Sequence, residues 1–217
     1  MRIGNWIAAV TVALVSLGGA SSADASPITT LFSTGVDAFG VPLAGGFVDP
    51  HYTVSPGGGP FAIGCPSCVG WVGNTGTSSW ISPATNTFGG PGPFTYHTTF
   101  SLAGLDPDSA VITGSLAIDD EGSIFLNGVD VFDSVSTFSA PWSFFQTFTI
   151  SSGFIAGVNT LDIVVPNNIE TPDDGPTGLQ LNLSGTADIP EPGSLSLLTL
   201  ALGVFGASRR RNKSRSA

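Results

Sequence analysis

The sequence predicts an all-β protein built as an antiparallel β-sandwich, and three observations support this. Apolar residues recur at every second position in short segments between about 31 and 187, whereas the 3.6-residue period of helices is almost absent. Turn sequences rich in Gly, Pro, Asn and Asp separate these segments. No Lys or Arg occurs between Arg2 and Arg209, so the Glu–Lys pairs that stabilise surface helices cannot form there.

The predicted strands alternate apolar and polar side chains. In Phe94–Leu102, one face carries Phe, Tyr, Thr, Phe and Leu, and the other carries Thr, His, Thr and Ser. Asn127-Gly128 between two short apolar runs is a strong signal for a tight hairpin. One buried and one solvated face is typical of antiparallel sheets, and several such strands indicate a sandwich. The same alternation occurs in segments 144–150, 161–165 and 179–183.

Length and charge limit the domain count and the class of partner. The 217 residues suffice for one ordinary domain. Fourteen of the 16 acidic residues lie between positions 26 and 189, where there is no Lys or Arg. A domain of this charge lacks the basic surface that nucleic-acid binding needs and the cations that recognise phosphate.

Residues 1–25 have the parts of a secretory signal. Arg2 supplies the positive start, Trp6–Leu17 forms an apolar helix of suitable length, and Ala23-Asp24-Ala25 matches the small-residue pattern before a cleavage site. We expect signal peptidase to cut after Ala25, with Ala20 as the second choice. The alternative is an uncleaved N-terminal anchor.

Residues 189–217 combine an extended start, a short apolar run and a basic end. The run Leu195–Ala207 has 13 residues, about 20 Å as a helix, against a hydrocarbon core of about 30 Å. Adding residues 192–194 and 208 gives 17 residues, the lower limit for spanning, and predicts a short transmembrane helix at about 193–208. The basic tail 209–217 should stay in the cytoplasm, which places the domain in the periplasm.

The start of this segment and its basic end have a distinctive sequence: Pro190, Glu191 and Pro192, then, after the apolar run, Arg209, Arg210 and Arg211. This arrangement resembles the PEP-CTERM sorting signal of Gram-negative bacteria. The resemblance implies recognition by a membrane-embedded exosortase, a transient inner-membrane anchor, removal of the tail, and delivery to the cell surface or extracellular matrix. The alternative is an ordinary C-terminal membrane anchor.

The region between the two ends, residues 26–188, resembles a jelly-roll module of exported PEP-CTERM proteins. It is similar to galactose-binding-like, carbohydrate-binding sandwiches, which implies a jelly-roll-like β-sandwich. Likeness of fold does not establish a binding site. The matching stretches are 94–100, 117–128, 154–165 and 176–181, with 33–37 and 48–52 as the opening of the same unit.

Two acidic clusters stand at predicted strand entrances and could meet at one end of the sandwich. They are the candidate ligands of a structural calcium ion, because Ca²⁺ prefers carboxylate and carbonyl oxygens. The alternatives are solvated acidic loops and, less favoured, a catalytic carboxylate pair, because adjacent acids on a strand point to opposite faces. The clusters are Asp119, Asp120 and Glu121, and Asp173 and Asp174.

Cys65 and Cys68 are the only cysteines in the chain. In an oxidising compartment, a C-x-x-C sequence with Gly- and Pro-rich flanks favours a small disulfide loop. Free or metal-bound thiols and redox activity are the alternatives, although no second cysteine pair is present for zinc.

Three tryptophans lie in Gly-, Ser- and Pro-rich sequence: Trp71, Trp80 and Trp142. Aromatic rings that stack on sugar faces, beside Asn, Asp and Gln, are the expected chemistry of carbohydrate binding. Packing in the core or at an edge is the alternative for each of them.

The function that the sequence favours is a glycan-binding or matrix protein of the cell surface, with extracellular polysaccharide as the ligand class. A purely structural surface or biofilm component without a small ligand is the alternative. A hydrolase is less favoured, because no catalytic set is recognisable: the two histidines make no triad, and no G-x-S-x-G, H-E-x-x-H or P-loop occurs.

Overall fold

The computed structural model of the chain describes residues 25–64, 70–133, 140–167 and 175–190. Within these ranges, eleven strands form two antiparallel sheets. Two short 3₁₀ turns, Pro107–Ser109 and Pro141–Ser143, complete the regular structure. The strands are β1 Ala25–Pro27, β2 Thr53–Ser55, β3 Phe61–Ile63, β4 Trp80–Ser82, β5 Phe94–Ser101, β6 Val111–Asp119, β7 Ser123–Leu126, β8 Val129–Asp133, β9 Gln146–Ile150, β10 Val158–Val165 and β11 Gly178–Asp188.

The pairing of the strands defines a jelly roll. One sheet has the order β3-β4-β11-β6-β9, with β1 also paired to β11, and the other has the order β2-β5-β10-β7-β8. The last eight strands pair as nested hairpins: β7 with β8, β6 with β9, β5 with β10, and β4 with β11. A long hairpin wound into two facing sheets is the jelly-roll topology. The predicted all-β antiparallel sandwich is confirmed.

The centre of this long hairpin is the turn that the sequence predicts at Asn127-Gly128. Both residues have positive φ, 51° and 81°, as a two-residue type I′ turn requires. The turn joins β7 to β8, so the predicted hairpin is confirmed.

The core lies between the two sheets and is made by the predicted alternation. In β5, every second residue from Phe94 to Phe100 is buried, Thr98 included, and the alternate side chains face outward. Strand β10 buries Leu161, Ile163 and Val165 in the same way, which fixes the register because a one-residue shift would expose all three.

The outer face of the six-stranded sheet differs from the expectation of a solvated surface. The alternation in segment 179–183 predicts that Gln180, between two leucines, lies on the solvated face of its strand, but Gln180 is fully buried. Its Nε2 donates to the carbonyl oxygen of Ser78 at 3.2 Å and to the Ser78 hydroxyl at 2.9 Å. The segment before β4, residues 70–79, covers the sheet there, and a second apolar cluster lies beneath it. Its buried members are Ile63, Trp80 and Ala117, with Trp71, Val72, Trp142 and Phe145 packed against them.

The sandwich has two distinct ends, joined by β11. At one end, β11 begins at Gly178 beside Asp119, the last residue of β6. At the other end, β11 finishes at Asp188, which pairs with Ala25 of β1. Ten residue steps of about 3.3 Å place these ends about 33 Å apart. The second end, which we call the exit end, also carries segments 102–110, 127–129 and 153–158.

Candidate functional site

A pocket of about 290 Å³ opens at the end of the sandwich where β6 finishes and β11 begins. It combines two indole rings with two carboxyl groups, so residues from both predicted site classes share one cavity. The exit end lies at the opposite end of β11. The pocket is lined by Trp71, Asp119, Asp120, Trp142, Asn167, Gly175 and Pro176.

Trp71 forms one wall and is held from below by Trp80. The two rings are tilted by 34°, with centroids 4.2 Å apart. Gly178 makes room for this stack, because a Cβ at that position would lie 2.7 Å from the Trp71 ring. Trp71 is half-buried and faces the pocket, whereas Trp80 is fully buried and donates its indole N–H to the carbonyl oxygen of Val72 at 2.7 Å. Trp80 therefore supports the pocket and has no exposed surface for a ligand.

Trp142 forms a second aromatic wall. It lies in the 3₁₀ turn Pro141–Ser143 before β9, and its carbonyl oxygen accepts a hydrogen bond from the Val72 N–H at 2.8 Å. This bond ties the segment that carries Trp142 to the segment that carries Trp71. The ring of Trp142 is half-buried, so it keeps surface available for contact.

Asp119 is the polar centre of the pocket. Its side chain is only 4% exposed, and its Oδ2 accepts the indole N–H of Trp71 at 2.9 Å. Burial, followed by the hydrogen bond and charge of Asp120, raises the pKa of Asp119 to about 8. The carboxyl of Asp119 is therefore mostly protonated at neutral pH, and it shares a hydrogen bond with Asp120.

The expectation that adjacent acids point to opposite faces is wrong for Asp119 and Asp120. Strand β6 ends at Asp119 and the chain bends at Asp120, after a cis peptide bond. Strict alternation applies within a strand and not past its end, so both side chains line the same pocket.

Asn167 is a pocket residue that the sequence analysis did not single out. It follows β10 with φ of 43°, a conformation that Asn tolerates better than most residues. Its Nδ2 donates to the carbonyl oxygen of Gly90 at 2.6 Å, which fixes the side chain against a neighbouring loop. The sequence does contain a signal for such a turn, because Asn167 follows Pro166 directly after the apolar strand β10.

None of the other predicted site residues within the described ranges lines this pocket. Glu121 is half-buried in the β6–β7 turn and does not line the cavity. Across the described ranges, no group of three or more His, Cys, Asp or Glu side chains is arranged to hold a metal ion. Outside those ranges lie Cys65, Cys68, Asp173, Asp174, Glu191, Pro192, Arg209, Arg210 and Arg211, whereas Pro190 is the last described residue and is exposed.

His97 lies on the outer face of the five-stranded sheet, as the alternation predicts. Its Nδ1 is 2.6 Å from Oδ1 of Asp162, directly across from it in the register of β5 and β10. Cross-strand pairs of this kind stabilise a sheet.

The C-terminal residues match a known sorting motif. The family model described as the PEP-CTERM protein-sorting motif matches residues 188–212. The chain carries a PEP-CTERM sorting motif. The prediction made from the Pro-Glu-Pro sequence and the basic cluster is thereby confirmed, and the motif begins at the last residue of β11.

The PEP-CTERM motif is that of an exported protein with a C-terminal membrane-anchor region. No helix in the described part of the chain is long and apolar enough to cross a membrane. The predicted signal helix within residues 1–25 and the predicted transmembrane helix at about 193–208 lie outside the described residues, apart from Ala25 in β1.

Comparison with known proteins gives structural neighbours of low similarity. No curated protein matches the chain. A family 35 carbohydrate-binding module from an environmental isolate is 16% identical, with 56% of this chain and 85% of that chain covered and a TM-score of 0.33. The module from Paenibacillus barcinonensis is 18% identical, with 61% and 93% covered and a TM-score of 0.35. The module from Clostridium thermocellum is 17% identical, with 53% and 82% covered and a TM-score of 0.32.

Proposed function

We propose that this PEP-CTERM protein is a glycan-binding protein of the cell surface or extracellular matrix, and that the Trp71–Asp119 pocket is its binding site. The observation that carries the proposal is the presence of two partly exposed indole rings and two carboxyl groups in one cavity. Indole rings stack on the apolar faces of sugars, and carboxyl oxygens bind their hydroxyl groups.

The rigidity of the pocket supports binding. Trp71 is held by Trp80 on one side and by Asp119 through a 2.9 Å hydrogen bond. Thr177 fixes the end of β6, since its hydroxyl donates to the backbone carbonyl of Asp119 at 3.1 Å. Side chains fixed before binding lose little conformational freedom when a ligand arrives, which favours affinity.

Charge favours a neutral glycan over an acidic one. No Lys or Arg occurs between positions 3 and 208, so the pocket offers no cation to a uronic acid or sulfate group. An acidic polysaccharide would need a bridging cation between its own carboxylates and those of Asp119 and Asp120. A calcium ion bound by Asp119 and Asp120 together with Glu121, Asp173 and Asp174 remains a prediction from the sequence.

The proposal is for binding and not for hydrolysis. A hydrolytic carboxylate pair needs one group to act as an acid and the other to act on the opposite side of the scissile bond. Here Asp119 is buried and hydrogen-bonded to both Trp71 and Asp120, so the two carboxyls form one unit on one wall. A purely structural surface component is the alternative function.

Binding to a panel of polysaccharides tests the proposal. The fragment 26–188 contains β2–β11 complete and most of β1, and it is used in affinity electrophoresis against neutral and acidic polysaccharides, each with calcium and with chelator. We expect retardation by at least one neutral polysaccharide, independent of calcium. Absence of retardation by every polymer would favour the structural alternative.

We further propose that exosortase removes the C-terminal tail after export and that signal peptidase removes residues 1–25. The match to the sorting motif supports the first step. Intact mass of surface protein from the native host tests both, and we expect a start near Ser26 and no basic tail. Surface protein that retains 209–215 would contradict the exosortase step.

A further inference from the structure

The folded domain ends sharply at Asp188. Its N–H donates to the hydroxyl of Ser109 at 2.8 Å, and its carbonyl oxygen accepts the N–H of Asp106 at 2.8 Å. Ser26, the first residue after the proposed signal-peptidase cut, pairs with Ala187, the residue before Asp188. The next residue, Ile189, is 53% exposed. The backbone is thus clamped up to Asp188 and free of the sheet directly after it.

Little chain separates this clamp from the predicted membrane segment, which begins at about position 193. Five residue steps of about 3.4 Å span about 17 Å at full extension. The headgroup layer takes about 5–7 Å of that length. The remaining gap of about 10 Å is close to the diameter of one helix. While the anchor is in place, the exit end therefore has the lipid surface as its nearest neighbour, without room for an intervening protein domain.

The exit end presents aliphatic side chains on neighbouring turns. Val129 is 61% exposed, Ile155 51% and Val158 62%. Asn159 fixes their positions, because its Oδ1 accepts from the Nδ2 of Asn127 and from the N–H of Ile155, both at 2.9 Å. These bonds hold the β7–β8 turn against the 153–157 loop.

We propose that the exit end is a lipid-contacting surface, at which Val129, Ile155 and Val158 touch the periplasmic leaflet while the protein is anchored. The proposal rests on the membrane-anchoring part of the proposed function and not on glycan binding. The contact is made by apolar side chains, because this end has no Lys or Arg that would attract anionic lipids. Its charged residues are acids, among them Asp106. Asp108, Asp130 and Asp188 are the other acids there. The glycan pocket would then point away from the bilayer, about 33 Å from the exit.

Depth-dependent fluorescence quenching tests this contact on the full chain, reconstituted through its own C-terminal segment into phosphatidylcholine vesicles. In a Cys65→Ser/Cys68→Ser background, a bimane label is attached at Ile155→Cys or Val158→Cys. The matched control is Thr85→Cys, an exposed position at the pocket end. We expect headgroup-nitroxide lipids to quench the two exit-end labels at least twofold more than the control. Equal quenching at all three positions would overturn the proposal.

Two further arms separate the other outcomes. Co-flotation with the vesicles measures anchoring directly. Protein that does not float would disprove the anchoring and, with it, the lipid contact. Glycan binding is measured in a separate assay, so its failure is distinguishable from the failure of anchoring. Anionic phosphatidylglycerol in the vesicles should reduce the quenching, because the acids at this end are repelled. Quenching that increases with anionic lipid would contradict the apolar mode of contact.

Discussion

Trp71 and Asp119 are joined by a 2.9 Å hydrogen bond from the indole N–H to Oδ2, although 48 positions separate them in the sequence. The bond connects the segment that covers the six-stranded sheet to the last residue of β6. It places an aromatic ring and a buried carboxyl in one pocket. The acid–aromatic contact is the feature on which the proposed binding function depends.

Asp119→Asn should remove a pH dependence of stability. Because the pKa of Asp119 is raised from 3.8 to about 8 in the folded state, its proton stabilises the fold fully below pH 4, and this contribution is lost as the pH rises through 8. Between these two pH values, the free energy of unfolding should fall by about 1.4 kcal/mol for each pH unit, because the folded state binds one proton more than the unfolded state. Asn keeps the shape and stays neutral, so the variant should lack this slope.

The measurement is urea unfolding of both proteins at pH 4 to 9, with the wild-type minus variant difference plotted against pH. Subtraction removes the contribution of Asp49, whose pKa burial also raises. Asp108→Asn at the exposed exit end is the control and should follow the wild type. A flat difference between wild type and Asp119→Asn would contradict the buried, protonated state.

Gly178→Ala should damage the pocket without removing any of its side chains. The added Cβ would lie 2.7 Å and 2.9 Å from two atoms of the Trp71 ring and 3.1 Å from Trp80. Trp71 must then move, and glycan affinity should fall at least tenfold, about 1.4 kcal/mol. The control is Gly58→Ala, an exposed position outside the pocket where an added Cβ meets no atom within 4 Å. Affinity is measured by titration calorimetry with the polysaccharide found in the screen. If Gly178→Ala binds the polysaccharide with unchanged affinity, the position of the Trp71 ring does not matter for glycan binding.

Cys65 and Cys68 should be bonded to each other in exported protein. The loop that they close is so short that chain entropy contributes about 2 kcal/mol at most. The double Cys→Ser variant should therefore still fold, with a modest loss of stability in urea. Thiol labelling of the native, exported protein checks the pairing, and free reaction of both sulfurs would disprove it.

Calcium should stabilise the domain if the acidic clusters hold it. A ligand that binds only the folded state adds about 2.7 kcal/mol at a hundredfold excess over Kd, whereas sodium at equal ionic strength contributes screening alone. Thermal unfolding of fragment 26–188 in chelator, in calcium and in matched sodium chloride distinguishes these effects. Identical midpoints in calcium and sodium would remove the metal site and leave solvated acidic loops.

Much of the fold could be predicted because it depends on local patterns. Alternation in Phe94–Leu102 and the turn at Asn127-Gly128 act over a few residues, and both are found as expected. Burial of Gln180 could not be predicted, since the segment that covers it comes from about 100 positions earlier. Alternation states which side chains share a face but not whether another segment covers that face.

The site was predicted in its residue types and not in its assembly. Trp71, Trp142, Asp119 and Asp120 were singled out separately, as sugar-stacking rings and as metal ligands, and they line one pocket. Trp80 looked equivalent to the other two tryptophans, but its position in β4 on the covered face buries it. Equivalent local sequence cannot distinguish a ring that lines a pocket from a ring beneath it.

The most direct test of the central claim is the affinity of Trp142→Ala for the polysaccharide that the wild-type domain binds. Trp142 is half-buried at the pocket wall, so its loss should lower affinity at least tenfold. Because Trp142 also packs against the cluster around Trp80, urea unfolding checks that the variant is still folded under the binding conditions. Phe39→Ala, which removes an aromatic ring that is 89% exposed and does not line this pocket, is the matched control and should bind as the wild type does. Equal affinity of Trp142→Ala and Phe39→Ala would contradict a glycan site at the Trp71–Asp119 pocket.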